Sequence, residues 1–386
     1  IVIGFKMRKV FIVTERRADF SRFKPILEEL RNSDEFEYDL VVTGLHLLKN
    51  HGFTIDEIKA GGYDVFTTFD MYKEELAKDD GCTMVQSLGV AIEQLALILD
   101  QAKPDIVLSG FDIAANFAVT IAAAHMNIPV AHIQGGEVTG TIDESLRHAM
   151  SKFAHYHLVS NEDAKERLIK MGEVPDNVFV VGCPSIDALL EVSDVSDEDL
   201  QQEFGLDFTE PYFIVIQHPV TTEFEQSEFQ IQTTLGAIKE SNAQALFIYP
   251  NNDAGAQNII KTLKKSKIKH VPTLSLEKYV SLLRRSAGLI GNSSSGIHET
   301  ATLSVPTINI GSRQQGRLRA TNVVDVEHNQ TQIVGAIDRC LNDDEFLETV
   351  KTCTNPYGDG LSAKKIVDIL KTIDISDNII QKQITY

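Results

Sequence analysis

Short apolar runs rich in β-branched residues alternate along the chain with longer segments whose apolar positions recur at helical spacing. "KVFIVT" (9–14) precedes a helical pattern over 23–30, "DLVVTG" (39–44) follows, and a long amphipathic run covers 84–99. "DIVLSG" (105–110) leads into an alanine-rich helix over 114–126, and "PVAHIQGG" (129–136) into a helix over 143–153. "HLVS" (157–160) leads into a helix over 162–171, and "VFVVG" (178–182) closes the series. Strands bounded by turn residues and separated by helices predict a parallel, doubly wound sheet, because parallel neighbours are joined by crossovers that cover both faces. After Pro184 the acidic, polar stretch "EVSDVSDEDLQQEFG" predicts a connection, and the pattern then restarts. "YFIVIQHP" (212–219), "ALFIYPNN" (245–252), "HVPTLS" (270–275), "AGLIGNSSSG" (287–296) and "PTINIG" (306–311) all predict strands with helices between them. The expected class is therefore α/β, with two Rossmann-like domains over 7–190 and 191–386 and the last helix packing back on the first. No repeat or low-complexity tract interrupts this order.

Polar residues of chemical interest fall where the predicted strands end: Arg17, Asp112, Gly135, His218, Asn251, Ser293 and Arg313. Ligands of open α/β sheets bind beyond the carboxyl ends of the strands, so a cleft between parallel sheets is the expected site. A net charge of −19 argues against nonspecific binding to nucleic acid or to an anionic membrane. Two basic islands, Arg16–Arg17–Arg22 and Arg313–Arg317–Arg319, leave room for a small anionic ligand. The four cysteines, at 82, 183, 340 and 353, form no CxxC and indicate neither a disulfide framework nor a zinc site. No apolar run is read as long enough to span a membrane, "IVIGFK" (1–6) lacks a signal layout, and Met7 reads as the natural start. A cytoplasmic enzyme is the expectation. GxGxxG after the first strand, GxxxxGK[ST], HExxH and GxSxG are all missing, which excludes the corresponding dinucleotide, P-loop, zinc-peptidase and serine-hydrolase readings.

Five stretches carry the remaining chemistry. In "GNSSSGIHETATLSVPTINIG" (291–311) small hydroxyls open a predicted helix, and Arg313 and Arg317 follow. A helix N-terminus attracts an anion, and small residues let it approach the backbone; alternatively Asn292 or a serine is only an N-cap. Glu299, a turn further on, suits a sugar diol or simply the helix dipole. In "TERRADFSRFKP" (14–25), Arg17, Asp19, Ser21 and Arg22 either hold a phosphate or order the loop. "AHIQGGEVTGTIDESLRHAMSKFAHYH" (131–157) gathers His132, Gln134, Glu137 and Asp143, with Thr141 and Glu144 as a capping box and Glu144 facing Arg147 and His148 along the helix. His218 in "IQHPVTTE" (216–223) stands where Pro219 stops the strand, and "YPNNDAG" (249–255) is a turn carrying Asn251.

In their order and spacing, "RADFS", "HIQGGEVTGTIDESLRHA…HYH", "QHPVTTE", "GNSSSGIHE", "NIGSRQQGR" and "NPYGDG" resemble the UDP-N-acetylglucosamine 2-epimerase family. The resemblance runs from about Val10 to about Ile369 and is narrowest to the hydrolysing branch that feeds sialic and related nonulosonic acid synthesis. It implies a glycosyltransferase-B-like fold, a UDP-sugar or GDP-sugar substrate, no metal or redox cofactor, and a homodimer or homotetramer. It further implies that Ser293, Ser294 and Gly296 meet the diphosphate and Glu299 the ribose. Arg17 and Arg313 would grip the diphosphate with His218 beside it, and Ser21, His132, Gln134, Arg147, Asn251 and Arg317 are the further substrate-binding candidates. The implied chemistry is loss of the carbon 2 proton with departure of the nucleotide from carbon 1, then hydration of the glycal. Asp112, Glu137 and Asp143, with His218 as auxiliary carrier, are the expected proton-transfer groups. The sequence departs from the family pattern in three places. "SGFDIAAN" replaces Gly-Asp-Arg, Gln134 stands where some relatives have glutamate, and His298 stands where arginine is common. A 2,4-diacetamido sugar nucleotide is therefore an expected alternative to UDP-N-acetylglucosamine. A non-hydrolysing epimerase or a glycosyltransferase on the same fold are the other readings.

Overall fold

The computed structural model describes residues 7–49, 52–72, 81–251 and 253–386, so the segment "IVIGFK" lies outside the described residues. The chain divides into two compact units. One comprises the residues up to Glu137, then Asp143–Ala188 and Tyr357–Tyr386; the other comprises Val138–Ile142 and Leu189–Pro356.

The first unit holds a seven-stranded sheet: β1 (Arg8–Thr14), β2 (Phe36–Val42), β3 (Val65–Thr68), β4 (Ile106–Gly110), β5 (Val130–Ile133), β6 (Tyr156–Val159) and β7 (Val178–Val180). Their spatial order is β3-β2-β1-β4-β5-β6-β7 and every pairing is parallel. Side chains alternate across a strand, so β1 feeds two cores. Val10 and Ile12 meet Phe23, Ile26 and Leu27 of the helix Arg17–Arg31 and Ile366, Val367 and Leu370 of the helix Ser362–Thr372. Phe11 and Val13 meet Leu95 and Leu99 of the helix Gly81–Ala102 and Ala118 and Val119 of the helix Ala114–His125. The second unit repeats this plan with β8 (Tyr212–Ile216), β9 (Gln244–Ile248), β10 (Lys269–Val271), β11 (Gly288–Gly291), β12 (Thr307–Ile310) and β13 (Val323–Val326), in the order β10-β9-β8-β11-β12-β13.

Some expected elements change. β3 and β13 escape the sequence pattern because they are short edge strands, "VFTT" and "VVDV", with neither face continuously apolar. The acidic connection contains a helix, Asp197–Phe204, capped by Ser196 and anchored by buried Leu200 and Phe204. The expectation that no run reaches the length of a membrane span is corrected by Gly81–Ala102, a helix long and apolar enough to cross one. In the fold its buried stripe, Ala91, Leu95, Leu99 and Ala102, is spent on the first unit's core.

The segment from Tyr357 onward is tied into the first unit by polar contacts as well. Lys382 Nζ donates to the carbonyls of Ser151 (2.7 Å) and Ala154 (2.6 Å), at the carboxyl end of the helix Ile142–Phe153. The same ammonium pairs with Glu173, whose side chain is wholly buried and also meets Lys152 (2.7 Å) and His157 Nε2 (2.9 Å). Burial opposes charge on Glu173, yet His157 and the two ammonium groups outweigh it and hold the carboxyl at about 2. Its contribution to stability is thus complete above the ordinary carboxylate range and is lost as pH falls from about 4.5 toward 2. Glu173→Gln should lower stability at pH 7 by about 3 kcal/mol. In denaturant melts the deficit should shrink as the pH is lowered through that window.

Candidate active site

In the first unit the connections leave β1 and β4 on opposite sides, so the carboxyl ends of these neighbours mark the topological switch point. The turn after β1 is built by buried acids. Asp19 accepts the N–H groups of Glu15 and Arg16 (both 2.8 Å), and burial raises its carboxyl to about 6. Glu15 accepts from Ala115 N–H (3.0 Å), Tyr72 (2.9 Å) and Arg16 (2.6 Å). Loop ordering is therefore what Asp19 does. Ser21, expected at the ligand, back-bonds to the Ala18 carbonyl at 3.0 Å inside its own helix. Arg17 pairs with Glu57, its Nε donating at 3.0 Å.

The turn after β4 carries Phe111 and Asp112 at φ +68° and +46°, and Gln134, after β5, sits at +59°. Left-handed conformations at three non-glycine residues of one sheet edge are strain of the kind that functional sites hold. Packing supports them: Phe111 meets Phe23 edge to face at 4.9 Å, and the Arg22 guanidinium lies 5.2 Å from its ring centre. Asp112 pairs with Arg147, which also donates to the Glu137 carbonyl at 2.8 Å. The expected helix-surface pair of Arg147 with Glu144 is corrected: Arg147 is 2 % exposed and turned inward, while Glu144 keeps His148 at 3.7 Å. Glu137 Oε1 accepts from Gln134 Nε2 (3.1 Å) and Ser160 Oγ (2.7 Å). The intervening Gly136 has φ +78°, and a Cβ there would stand 2.4 Å from the Ala164 carbonyl oxygen. Asp112, Gln134, Glu137 and Arg147 thus form one cluster at the switch-point edge, with Asp143 in the first turn of the helix that carries Arg147.

His132 lies in the strand that leads to Gln134. It is wholly buried within β5, bonded to Ser151 at 3.1 Å, and burial with neighbouring His157 and Arg147 holds it neutral, at about 3. His155 and His157 likewise serve the fold, toward Val130 N–H and Glu173.

In the second unit the switch point lies between β8 and β11, and Asn292 bridges it. Its Oδ1 accepts from His218 N–H (2.7 Å) and its Nδ2 donates to the His218 carbonyl (2.9 Å). Gly291 permits this approach: at φ +134°, a Cβ there would lie 2.0 Å from the Ile216 carbonyl oxygen. Asn292 is therefore no helix cap. His218 Nδ1 accepts Asn251 N–H at 3.2 Å, so the neutral ring carries its proton on Nε2. Arg313 Nη1 and Gln314 Nε2 both donate to the Asn292 carbonyl, at 3.2 and 2.8 Å. Ser293 and Ser294 are partly exposed beside them.

The expected helix behind the serines is only the single turn Ser295–His298, too short for a useful dipole, and Ser293 Oγ accepts Ser295 N–H at 3.3 Å. Hydroxyls and arginines are what this edge offers an anion. Gly296 donates its N–H to Ser293 and packs on Thr307, where a Cβ would fall 2.7 Å away, so its role is close packing. Glu299 is oriented by Ser295, which in turn meets half-buried Tyr279. Arg317 is spent on the fold, donating to the carbonyl of Val138 (3.1 Å), and Arg313 accepts Gly140 N–H on its own carbonyl (3.1 Å). Val138–Ile142 thereby belongs to the second unit although Glu137 and Asp143 flank it in the first.

A family model described as UDP-N-acetylglucosamine 2-epimerase matches residues 28–371. The chain is 34% identical over 381 residues to the UDP-N,N'-diacetylbacillosamine 2-epimerase (hydrolyzing) of Legionella pneumophila, covering 97% of this chain and 99% of that protein. The chain belongs to the UDP-N-acetylglucosamine 2-epimerase family. Another member, the GDP/UDP-N,N'-diacetylbacillosamine 2-epimerase (hydrolyzing) of Campylobacter jejuni, is 32% identical over 330 residues, 83% of this chain and 85% of that protein. The solved UDP-GlcNAc 2-epimerase from Neisseria meningitidis bound to UDP-GlcNAc shares the fold, with a TM-score of 0.82 at 21% identity over 95% of this chain and all (100%) of that one. The expected pair of Rossmann-like domains of the glycosyltransferase-B type is thus met.

Sequence reasoning passed over Asn292, Tyr279, Ser160 and Gln314 as residues that order these two edges. A strand-end asparagine and serine gave a signal for two of them; Tyr279, inside an amphipathic helix, gave none. Because Asn292 makes both backbone bonds to His218, Asn292→Ala should cost about 1–3 kcal/mol in urea melts. It should also weaken UDP binding by calorimetry.

Proposed function

We propose that the protein is a hydrolysing nucleotide-sugar 2-epimerase that releases a free mannosamine-type sugar and a nucleoside diphosphate. The observation that carries this reading is the Asp112–Arg147–Glu137 cluster at the first switch point, in a chain whose close relatives bear hydrolysing 2-epimerase names. Those relatives favour a UDP- or GDP-linked 2,4-diacetamido sugar, with UDP-N-acetylglucosamine as the second substrate to test.

In this reading the first unit handles the sugar and the second the nucleotide. A carboxylate of the Asp112, Glu137 and Asp143 set takes the proton from carbon 2 as the bond from carbon 1 to the diphosphate oxygen breaks. The electron pair forms the double bond of a glycal, and the nucleotide leaves with the other pair. Water then adds at carbon 1 and a proton is delivered to carbon 2 on the opposite face. Arg147 fixes Asp112 in place through their ion pair. Ser293, Ser294 and Arg313 stabilise the charge developing on the leaving diphosphate, Glu299 receives the ribose, and His218 donates from Nε2. Four free cysteines suit a reducing, cytoplasmic setting. A homodimer or homotetramer belongs to the proposal, supported by exposed Val85 and Leu97 on the helix Gly81–Ala102.

Proton NMR in deuterium oxide should show the free 2-epimer deuterated at carbon 2, with one nucleoside diphosphate per sugar, from a diacetamido sugar nucleotide or from UDP-N-acetylglucosamine. A deuterated nucleotide-linked epimer would instead mean the non-hydrolysing reaction, and inertness toward all these substrates would defeat the reading. Arg313→Met should weaken UDP binding about 10–100-fold by calorimetry, the loss of one charge-assisted contact of about 1.5–3 kcal/mol.

A further inference from the structure

Gln134 is the one buried polar residue of the first unit's cluster that this chemistry leaves without a task. It is 3 % exposed, at positive φ, and hydrogen-bonded to Glu137. Arg22 Nη1 donates to Gln134 Oε1 at 3.4 Å, and a guanidinium can only donate. The amide oxygen therefore faces Arg22 and the amide nitrogen faces Glu137, without ambiguity of flip. Glu137 Oε1 receives that amide and Ser160 Oγ, both as donors. Phe111 holds Arg22 in turn, beneath the guanidinium and packed on Phe23. Two of the left-handed residues, Phe111 and Gln134, are thus opposite ends of one bracket. Among the described residues, charged groups around it include Arg22 from the helix Arg17–Arg31, Arg147 from the helix Ile142–Phe153, Asp112 beyond Arg147, and Arg167, which donates to the Gly136 carbonyl at 2.6 Å. The Cys183 thiol is also near and stays neutral, since burial lifts it to about 11.

We propose that Gln134 is a positioning residue: the Arg22–Gln134–Ser160 bracket presents Glu137 to the sugar as an ionised carboxylate, a task that a glutamate at this position would undo. The proposal rests on the epimerase reading above and refines it by separating the proton-transfer role of Glu137 from the residue beside it. A carboxylate at 134 would lie within about 3 Å of Glu137, and two such groups cannot both ionise near neutrality without a large rise in one pKa.

The test compares Gln134→Glu, Gln134→Leu and Ser160→Ala with the parent enzyme in kcat and KM from pH 5 to 9, and in thermal melts at pH 5 and 8 without substrate. For Gln134→Glu the acidic limb of the kcat/KM profile should move up by about one pH unit or more. Activity at pH 6 should fall about tenfold and recover toward pH 9, with KM within about threefold. Gln134→Leu and Ser160→Ala, each removing one donor, should move the limb the same way by less. In the melts, a raised carboxyl pKa stabilises below its range and is lost above it. The deficit of Gln134→Glu relative to the parent should therefore be larger at pH 8 than at pH 5.

An unmoved acidic limb would overturn the proposal. So would a rise in KM with the pH profile unchanged, which would make Gln134 a substrate contact. An equal melting deficit at both pH values would also overturn it. If the parent enzyme is inert toward every sugar nucleotide, the epimerase reading falls while the melts still decide whether Gln134 governs the Glu137 charge. Should Gln134→Glu fail to fold, the limb shift of Ser160→Ala decides the matter.

Discussion

Reversal of strand order in a parallel sheet leaves a gap at the carboxyl edge that no helix covers, and polar groups exposed there must be satisfied by other means. Both units meet this constraint, and each meets it with side chains that reach from one loop to the next. In the second unit a single amide, Asn292, closes the gap by reading both backbone groups of His218. In the first the gap is lined by charge: Glu15 takes up the N–H of Ala115, and Asp112 is answered by Arg147 from a third element. A buried guanidinium with a carboxylate and a carbonyl partner fixes both loops, because losing the carboxylate leaves an uncompensated charge and losing the carbonyl leaves a buried donor unsatisfied.

The strands that build these edges were legible because both faces are buried, so that β4, β5, β6 and β8 read as nearly unbroken apolar runs. β3 and β13 were not, since edge strands need bury only part of one face. Site residues divide along the same physical line. Asp112, Glu137, His218 and Arg313 stand at strand ends, where a charged side chain interrupts an apolar run and draws attention. His132, inside β5, stands out because a histidine near two glycines suggests chemistry; its Nδ1 meets Ser151 in the core. Arg317 and Gly296 are residue types suited to phosphate, and in the fold they hold a carbonyl and a close packing contact.

Pairing across elements was the part least available from one dimension. Arg147 shares a helix with Glu144 at a spacing that favours an ion pair, and local reasoning assigns it there. The tertiary alternative, a carboxylate on the turn after β4, wins because Arg147 faces inward, where water does not compete for its donors. The absence of an arginine beside Asp112 in "SGFDIAAN" is thereby made good in space by a residue from a different segment. Phe111, in a conformation that favours glycine, is kept by its ring contacts with Phe23 and Arg22.

The return of Tyr357–Tyr386 to the first unit bears on how the polypeptide is made. Ile366, Val367 and Leu370 complete a core begun by β1, yet they leave the ribosome only after every residue of the second unit. During synthesis the second unit has its whole sequence available first, while the earlier-born unit waits with an apolar face and the Glu173 carboxylate uncovered. Closing that core joins segments separated by the full length of an inserted domain, a connection of high contact order that is slow to form. The nascent protein therefore passes through an interval in which its first unit is the less finished of the two, and in which shielding of that unit by a chaperone matters most.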